Sequence, residues 1–315
     1  MELKNLLNKY GSKNEPFFFL ISYDLKNYTV KPLKELDKNI QFEIHEKISS
    51  KIDENIELEK HSIRFEEYEK KFEVLQENIK EGNSYLLNLT TPTKISTSLS
   101  LDEIYSKAKA KFKLKFYDDF VCFSPERFIE IKKDKIYTYP MKGTIDASIP
   151  NAQARILGDT KEMAEHTMVV DLLRNDLGIV SSKVRVEKFR YIEKINAGNK
   201  QLLQISSKIS GQLEKNWNEK IGDIITSLLP AGSITGTPKK KTVEILNEVE
   251  KYDRGYYTGI FGVYDGKSLD SAVMIRFIEK NDKGELIYKS GGGITCDSNV
   301  KSEYQELLDK IYVPA

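Results

Sequence analysis

The sequence predicts an α+β fold. Strand-like runs arrive in hairpin pairs, with Lys132-Lys133-Asp134 and Asp265-Gly266 as the turns. Helical stripes fall between groups of strands rather than after each strand, which argues against a βαβ alternation. No fixed-period repeat and no low-complexity linker divides the chain.

Taken in order, Pro16 to Tyr23 and Tyr28 to Val30 predict a short strand pair. Residues 31–64 are charged and weakly patterned and predict no definite element. Phe65, Tyr68, Phe72, Leu75 and Ile79 recur at spacings of 3, 4, 3 and 4, one apolar stripe on a helix closed by Gly82. Ser84 to Ile95 reads as a strand. Ser100 and Glu103 form a capping box that opens a helix through Lys111. Three short β-type runs follow at 119–123, 127–131 and 135–139. Tyr139 to Thr144 predicts a tight turn that presents Lys142 between Pro140 and Gly143.

A helix is expected from Thr160 to Asn175, stopping near Gly178. Strands are expected at 179–187 and 201–210, and helices at 217–228 and 238–250. Thr237 would cap the second of these helices, with Pro238 at its first position. Tyr256–Tyr264 and Leu269–Glu279 flank the Asp265-Gly266 turn. Another strand runs to Ser290, then Gly291-Gly292-Gly293, then a last helix from Asn299 to Tyr312.

The totals exclude several classes. The 315 residues are 39% hydrophobic and 31% charged, a globular balance with ample core. A net charge of +1 gives no global attraction to nucleic acid or anionic lipid, so neither is an expected partner. Cys122 and Cys296 form no CxxC pair, which argues against a zinc knuckle and suits a reducing cytoplasm. His45, His61 and His166 are too far apart for a histidine metal site. The first residues lack an apolar signal core, and the longest apolar run, Phe17 to Ile21, cannot span a bilayer. A cytoplasmic protein without membrane segments is expected.

Four features carry chemistry. Lys142 is a nucleophile if burial or a nearby cation lowers its pKa, and otherwise a solvated surface lysine. Glu162 with Glu165, and Glu303 with Glu306, are pairs spaced 3 apart, so each pair shares a helix face. Such oxygen-only sets suit a hard cation such as Mg²⁺, or are plain solvated faces, and Lys310 lies 4 after Glu306 as an ordinary ion-pair partner. Ala231 to Lys239 leads glycines and hydroxyls into a helix, an anion-binding arrangement that lacks the GxxxxGK[ST] of a nucleotide loop. Gly291 to Gly293 permits close ligand approach, and Arg276 suits a carboxylate, or each serves structure alone.

Together the segments from about Gly82 onward resemble the chorismate-utilising enzymes. The resemblance rests on PMKGT at 140–144, KEMAEH at 161–166, VDLLRNDLG at 170–178, GSITGTPK at 232–239, RGYYTG at 254–259, and GGGI at 291–294 with EYQE at 303–306, all in the family's order. It implies an α/β sandwich of two large antiparallel sheets packed near-orthogonally with helices outside. It also implies a shortened segment over 1–64 in the same globule as a chorismate-binding catalytic domain over 65–315. Members that form aminodeoxychorismate carry lysine where the others typically carry alanine, so Lys142 implies amination of chorismate to 4-amino-4-deoxychorismate, toward 4-aminobenzoate and folate. Lys142 would attack C2 of chorismate and Glu126 would protonate the departing C4 hydroxyl. Mg²⁺ on Glu162, Glu165, Glu303 and Glu306 would hold the ring carboxylate. Tyr257 and Arg276 would bind the enolpyruvyl carboxylate. Lys310 and Gly291, Gly292 and Gly293 would take the ring carboxylate, with Thr235 lining the site.

Lowering a lysine pKa from about 10.4 to about 7.5 costs roughly 4 kcal/mol, and four glutamates oppose it, so activation is expected only with metal bound. Gln204 departs from the histidine that many members carry. The tryptophan pocket of anthranilate synthases is not recognisable, and neither a glutaminase signature nor a lyase is evident. Ammonia is therefore expected free or from a separate glutamine amidotransferase subunit. Anthranilate or isochorismate formation is the alternative chemistry, against which Lys142 argues. A non-catalytic chorismate- or partner-binding subunit is the alternative of another class, against which the complete residue set argues.

Overall fold

The computed structural model describes residues 2–44, 56–197 and 200–314, so His45 lies outside the described residues. The first elements are α1 (Glu2–Ser12), β1 (Phe17–Ile21), β2 (Tyr28–Pro32), β3 (Ile40–Ile44), β4 (Glu59–His61), α2 (Phe65–Lys80), β5 (Leu86–Ser96) and α3 (Leu101–Lys107). Then come β6 (Phe112–Phe116), β7 (Phe120–Ser124), β8 (Arg127–Lys132), β9 (Lys135–Thr138), β10 (Met141–Asp146), α4 (Ala152–Gly158), α5 (Thr160–Val180), β11 (Ser182–Ala197) and β12 (Lys200–Gln212). The last are α6 (Ile221–Leu228), β13 (Gly236–Thr237), α7 (Lys239–Glu250), β14 (Ile260–Tyr264), β15 (Leu269–Val273), β16 (Phe277–Lys280), β17 (Leu286–Ile294) and α8 (Val300–Asp309).

The strands form two large antiparallel sheets. The first runs β10-β12-β9-β8-β15-β14-β1-β2, with β11 also on β12; the second runs β13-β5-β17-β16-β7-β6-β3, with β4 also on β5. The α+β class and its two sheets are as expected. β1 shows why they stack. Phe17 and Phe19 enter a core shared with Leu7 of α1 and Ile221 of α6, whereas Phe18 and Leu20 enter the core between the sheets. Alternate side chains of one strand thus serve opposite faces, and both faces are dry. Each fully buried phenylalanine contributes about 1.5–3 kcal/mol by removal from water. On the second sheet, Tyr68, Phe72 and Leu75 of α2 pack with Ile245 of α7, Leu307 of α8, and Leu87 and Leu89 of β5. The stripe read from the sequence is the buried face of α2, and Gly82 follows it at φ +76°.

Several boundaries differ from expectation, each for a physical reason. α1 was not expected; its stripe of Leu3, Leu7 and Gly11 is short but packs closely on α6. α3 stops at Lys107 rather than Lys111, because Phe112-Lys113-Leu114-Lys115-Phe116 alternates and pairs with β7. Its capping box is present as read. α4 was not expected, and α5 continues through Gly178 to Val180, since that glycine keeps ordinary helical backbone. α7 starts at Lys239 with Pro238 as cap residue, and Thr237 pairs with Leu86 instead of capping. Tyr139 to Thr144 is not a tight turn: Met141 to Asp146 forms β10 against β12. Gly291 to Gly293 is not a turn either, but continues β17 opposite Thr90, Leu89 and Asn88 of β5.

The expected strand Leu269–Glu279 breaks at Met274–Arg276. β15 belongs to the first sheet and β16 to the second, and Arg276 at φ +55° makes the change of direction. The chain makes the same crossing between β7 and β8, at Pro125 and Glu126. These two corners lie together: Val273 N–H donates to the Glu126 carbonyl at 3.2 Å, and Phe123 N–H to the Arg276 carbonyl at 3.1 Å.

Candidate active site

The two sheet corners open onto a cavity of about 1170 Å³. Its lining includes Glu126 and Arg276 from the corners, Lys142 from β10, Glu162 and Glu165 from α5, Tyr257, Gly291 to Gly293 from β17, and Glu306 and Lys310 at the end of α8. Most residues singled out in the sequence therefore meet in one place. Glu303 is buried beside the lining, and Thr235 is fully buried and is not among the lining residues.

Lys142 reaches the cavity through a β-bulge. Met141 pairs with Ser206 and Thr144 with Gln204, so Lys142 and Gly143 together oppose Ile205 alone. Gly143 takes φ +91°, a region that favours glycine, and a Cβ there would lie 3.0 Å from Glu162 Oε2. The Lys142 amine bonds Glu165 Oε2 at 2.7 Å. Burial works to lower its pKa, but Glu165, Glu306 and Glu162 outweigh burial and the pKa lies above the usual lysine value.

The carboxylates come from two helix starts. Asp159 caps α5 by accepting the Glu162 N–H at 2.9 Å, and Asn299 caps α8. Burial raises the pKa of Glu162, whose Oε2 is buried without a hydrogen-bond partner. Burial likewise raises that of Glu303, which accepts from Ser298 Oγ at 2.8 Å. Burial also opposes the charge of Glu306, but Lys310 and Lys142 prevail and lower its pKa. Lys310 contacts Glu306 at 2.6 Å and donates to the Gly291 carbonyl at 2.9 Å. Among the described residues no three acidic, histidine or cysteine side chains converge on one ion position as they stand. Lys142 stands amid these carboxylates, with Lys161 3.7 Å from Glu165 and Lys310 on Glu306. The unpartnered Glu162 oxygen, and burial that opposes an uncompensated negative charge on Glu162 and Glu303, make an oxygen donor set that fits an added divalent cation.

At the corner between β7 and β8, Glu126 Oε1 accepts from Ser233 Oγ at 2.5 Å. Burial raises the Glu126 pKa, with Ser233, Lys310 and Arg276 pulling it partly back. A carboxyl group so held keeps its proton to higher pH than a solvated one and can donate it. Arg276 lies over the Tyr312 ring at 5.0 Å, and its buried Nε lacks a partner. Gly292 provides the opening: a Cβ there would stand 3.7 Å from Glu303 Oε2 and Lys310 Nζ and 3.8 Å from Glu306 Oε1.

Residues without an assigned role in the sequence support these groups. Ser233 lies inside the quoted GSITGTPK segment, and its closeness to Glu126 depends on a contact 107 residues apart in sequence. Asp176 and Lys239 form an ion pair at 2.9 Å against Gly232 and so brace the same turn. Arg254, fully buried with Glu250, donates to the carbonyls of Ile234 and Asn88.

The family model described as chorismate binding enzyme matches residues 20–315. The chain is 48% identical over 311 residues to a Haemophilus influenzae protein named an uncharacterized PabA-like protein, covering 98% of this chain and 94% of that one. It is 32% identical over 261 residues to aminodeoxychorismate synthase component 1 of Salmonella typhimurium, covering 78% of this chain and 56% of the relative. The match thus spans little more than half of that synthase. The crystal structure of anthranilate synthase component I from Streptococcus pneumoniae superposes with a TM-score of 0.68 at 26% identity, covering 82% of this chain and 59% of that one. Among the described residues no helix is long and apolar enough to cross a membrane.

Proposed function

Because this chain belongs to the chorismate-binding enzymes, we propose that it aminates chorismate to 4-amino-4-deoxychorismate, using Lys142 as nucleophile and Glu126 as general acid. The observation that carries the reading is that these two residues line one cavity, with the lysine amid carboxylates and the acid at the corner between β7 and β8.

The residues divide the work as follows. Lys310 and the backbone at Gly292 receive the ring carboxylate, and Arg276 with Tyr257 receives the enolpyruvyl carboxylate. Such two-point holding orients the ring between nucleophile and acid. Mg²⁺ on Glu162, Glu165, Glu303 and Glu306 would supply positive charge that neutralises the carboxylates and the ring carboxylate. Glu165, at 2.7 Å, is placed to take the proton that Lys142 must lose. The free amine then forms a bond to C2, the ring double bonds shift, and the C4–O bond breaks. Glu126 gives its proton to that oxygen, which departs as water. Ammonia next bonds to C4, the ring double bonds shift back as the C2–N bond breaks and its electron pair returns to Lys142 as a free amine, and the new C4 ammonium gives its surplus proton back to Glu126. The sum is chorismate plus ammonia giving aminodeoxychorismate plus water.

A separate glutamine amidotransferase subunit is the proposed ammonia source, and the cytoplasm the proposed site of action. The proposed organisation is a short N-terminal segment, 1–64, serving a catalytic domain over 65–315. The anthranilate synthase likeness favours a second chorismate chemistry, against which Lys142 argues. Incubation with chorismate, Mg²⁺ and an ammonium salt, with products identified by mass spectrometry, tests the proposal. Aminodeoxychorismate supports it; anthranilate or isochorismate from the same incubation replaces it with another reaction of the family.

A further inference from the structure

A β-bulge releases main-chain groups from the ladder, so other contacts must fix its shape. At the Lys142 bulge those contacts come from side chains. Gln204 Nε2 donates to the Gly143 carbonyl at 2.9 Å, and Gln204 Oε1 accepts from Thr144 Oγ1 at 2.7 Å. His166, fully buried on α5, has Nδ1 at 3.3 Å from the Lys142 carbonyl and Nε2 at 2.7 Å from Ser207 Oγ. The Lys142 carbonyl oxygen can only accept, so a neutral His166 donates to it and leaves Nε2 to accept from Ser207 Oγ, which itself accepts the Arg190 N–H at 2.9 Å. The imidazole proton therefore resides on Nδ1 and is donated to the Lys142 carbonyl. Ser207 N–H completes the set by donating to the Pro140 carbonyl at 2.9 Å.

We propose that Gln204 and His166 are positioning residues that clamp the two carbonyls of the bulge and thereby aim the Lys142 amine into the cavity. This rests on the reading of Lys142 as nucleophile. The clamp uses both ends of one amide across Gly143, so it depends on a side chain that donates and accepts together. His166 is not among the cavity-lining residues, whereas Gln204 is, and its amide is engaged by the bulge at both ends. Replacing either residue moves the lysine, and displacement of a reacting group by about 1 Å costs on the order of 100-fold in rate.

The test compares wild type with Gln204→Ala and Gln204→Glu. Gln204 is only half-buried, so the variants avoid a core cavity. Gln204→Ala is expected to lower kcat about 10- to 100-fold while KM for chorismate stays within about 3-fold. In Gln204→Glu the carboxylate accepts from Thr144 but cannot donate to Gly143 until it is protonated. Glu193, its cross-strand partner on β11, disfavours ionisation of that carboxyl, and Lys142 on the adjoining bulge favours it. Activity of Gln204→Glu relative to wild type is therefore expected to rise as pH falls from about 8 to about 6. A second readout needs no turnover: competitive acetylation of Lys142 against exposed Lys240, mapped by mass spectrometry. Gln204→Ala should change the Lys142 rate at least about 3-fold. Unchanged kcat with unchanged labelling overturns the clamp, as does a flat pH ratio for Gln204→Glu. If wild type makes no aminodeoxychorismate, the functional reading falls, and the labelling alone decides the clamp.

Discussion

Gly291 and Gly292 are neighbours in β17, yet the structure assigns them opposite consequences on substitution by alanine. A Cβ at Gly291 would lie 2.5 Å from the Leu89 carbonyl oxygen, 2.6 Å from Thr90 Cγ2 and 3.0 Å from Thr90 Cα. Two of those atoms are backbone of the paired strand β5 and cannot swing aside. Overpacking of this kind costs about 1–3 kcal/mol, so Gly291→Ala should lower the melting temperature by about 2–5 °C. A Cβ at Gly292 meets only Glu303, Lys310 and Glu306 side-chain ends at 3.7–3.8 Å, which is ordinary contact. Gly292→Ala should keep the melting temperature or raise it slightly, because alanine narrows the unfolded ensemble. Its methyl instead fills the space beside the Lys310 amine that a bound carboxylate needs. Loss of one charge-assisted hydrogen bond is worth about 1.5–3 kcal/mol, or about 10- to 150-fold in KM for chorismate. Thermal melts and steady-state kinetics on both variants give the answer. Equal melting-temperature losses, or a Gly292→Ala enzyme with unaltered KM, would refute the placing of the carboxylate at Gly292.

Ser233→Ala removes the hydrogen bond that holds the Glu126 pKa down. The acid must be protonated to act, so activity declines as pH rises through that pKa, and the variant's decline should shift to higher pH with kcat about 10-fold lower; an unmoved alkaline limb contradicts the assignment of Glu126. Glu162 and Glu303 have raised pKa values in the fold, so their ionisation withdraws stability as pH climbs through those values. Mg²⁺ at about 100 times its Kd should return about 2.7 kcal/mol, read as a melting-temperature gain of about 4 °C that is larger at pH near 8 than near 6; the same gain in Glu162→Gln/Glu306→Gln would argue that the ion binds elsewhere. The essential base seen in the pH–rate profile should move to lower pH when Mg²⁺ is added, since the glutamates hold the Lys142 pKa up; an unchanged profile removes the metal from lysine activation. Arg254→Met strands the buried Glu250 carboxylate and should cost about 3–5 kcal/mol in urea unfolding, with Glu250→Gln/Arg254→Met recovering part of it; a loss within about 0.5 kcal/mol would contradict the role given to the pair.

The sequence made the separate parts of the site legible but not their meeting. Paired glutamates 3 apart reveal a helix face, and α2 follows directly from its apolar stripe, because both are local periodicities. The corner that carries Arg276 was hidden inside one strand-like run, since Leu269 to Glu279 has no glycine or proline to mark the change of sheet. The Lys142 bulge was read as a turn because Pro140 and Gly143 are turn-forming residues, and only the pairing of β10 with β12 distinguishes the two. The strand before the glycine run reads as ending at Ser290, yet 291–293 continue it, and they are glycines where larger residues would collide with β5 or fill the cavity. Ser233, His166 and Gln204 carried no local signal for their roles. Their partners lie 107, 24 and 61 residues away in sequence, so the fold alone brings them together.

The central claim is that Lys142 becomes covalently joined to the substrate ring. Wild-type protein would be mixed with chorismate and Mg²⁺ without ammonia, quenched in acid within the first turnover, digested and mapped by mass spectrometry. The account predicts that the peptide containing Lys142 gains the mass of chorismate less one water, and that ammonium added before the quench removes it. Turnover to aminodeoxychorismate with Lys142 unmodified at every time point, or with Lys142→Ala as fast as wild type, would contradict it.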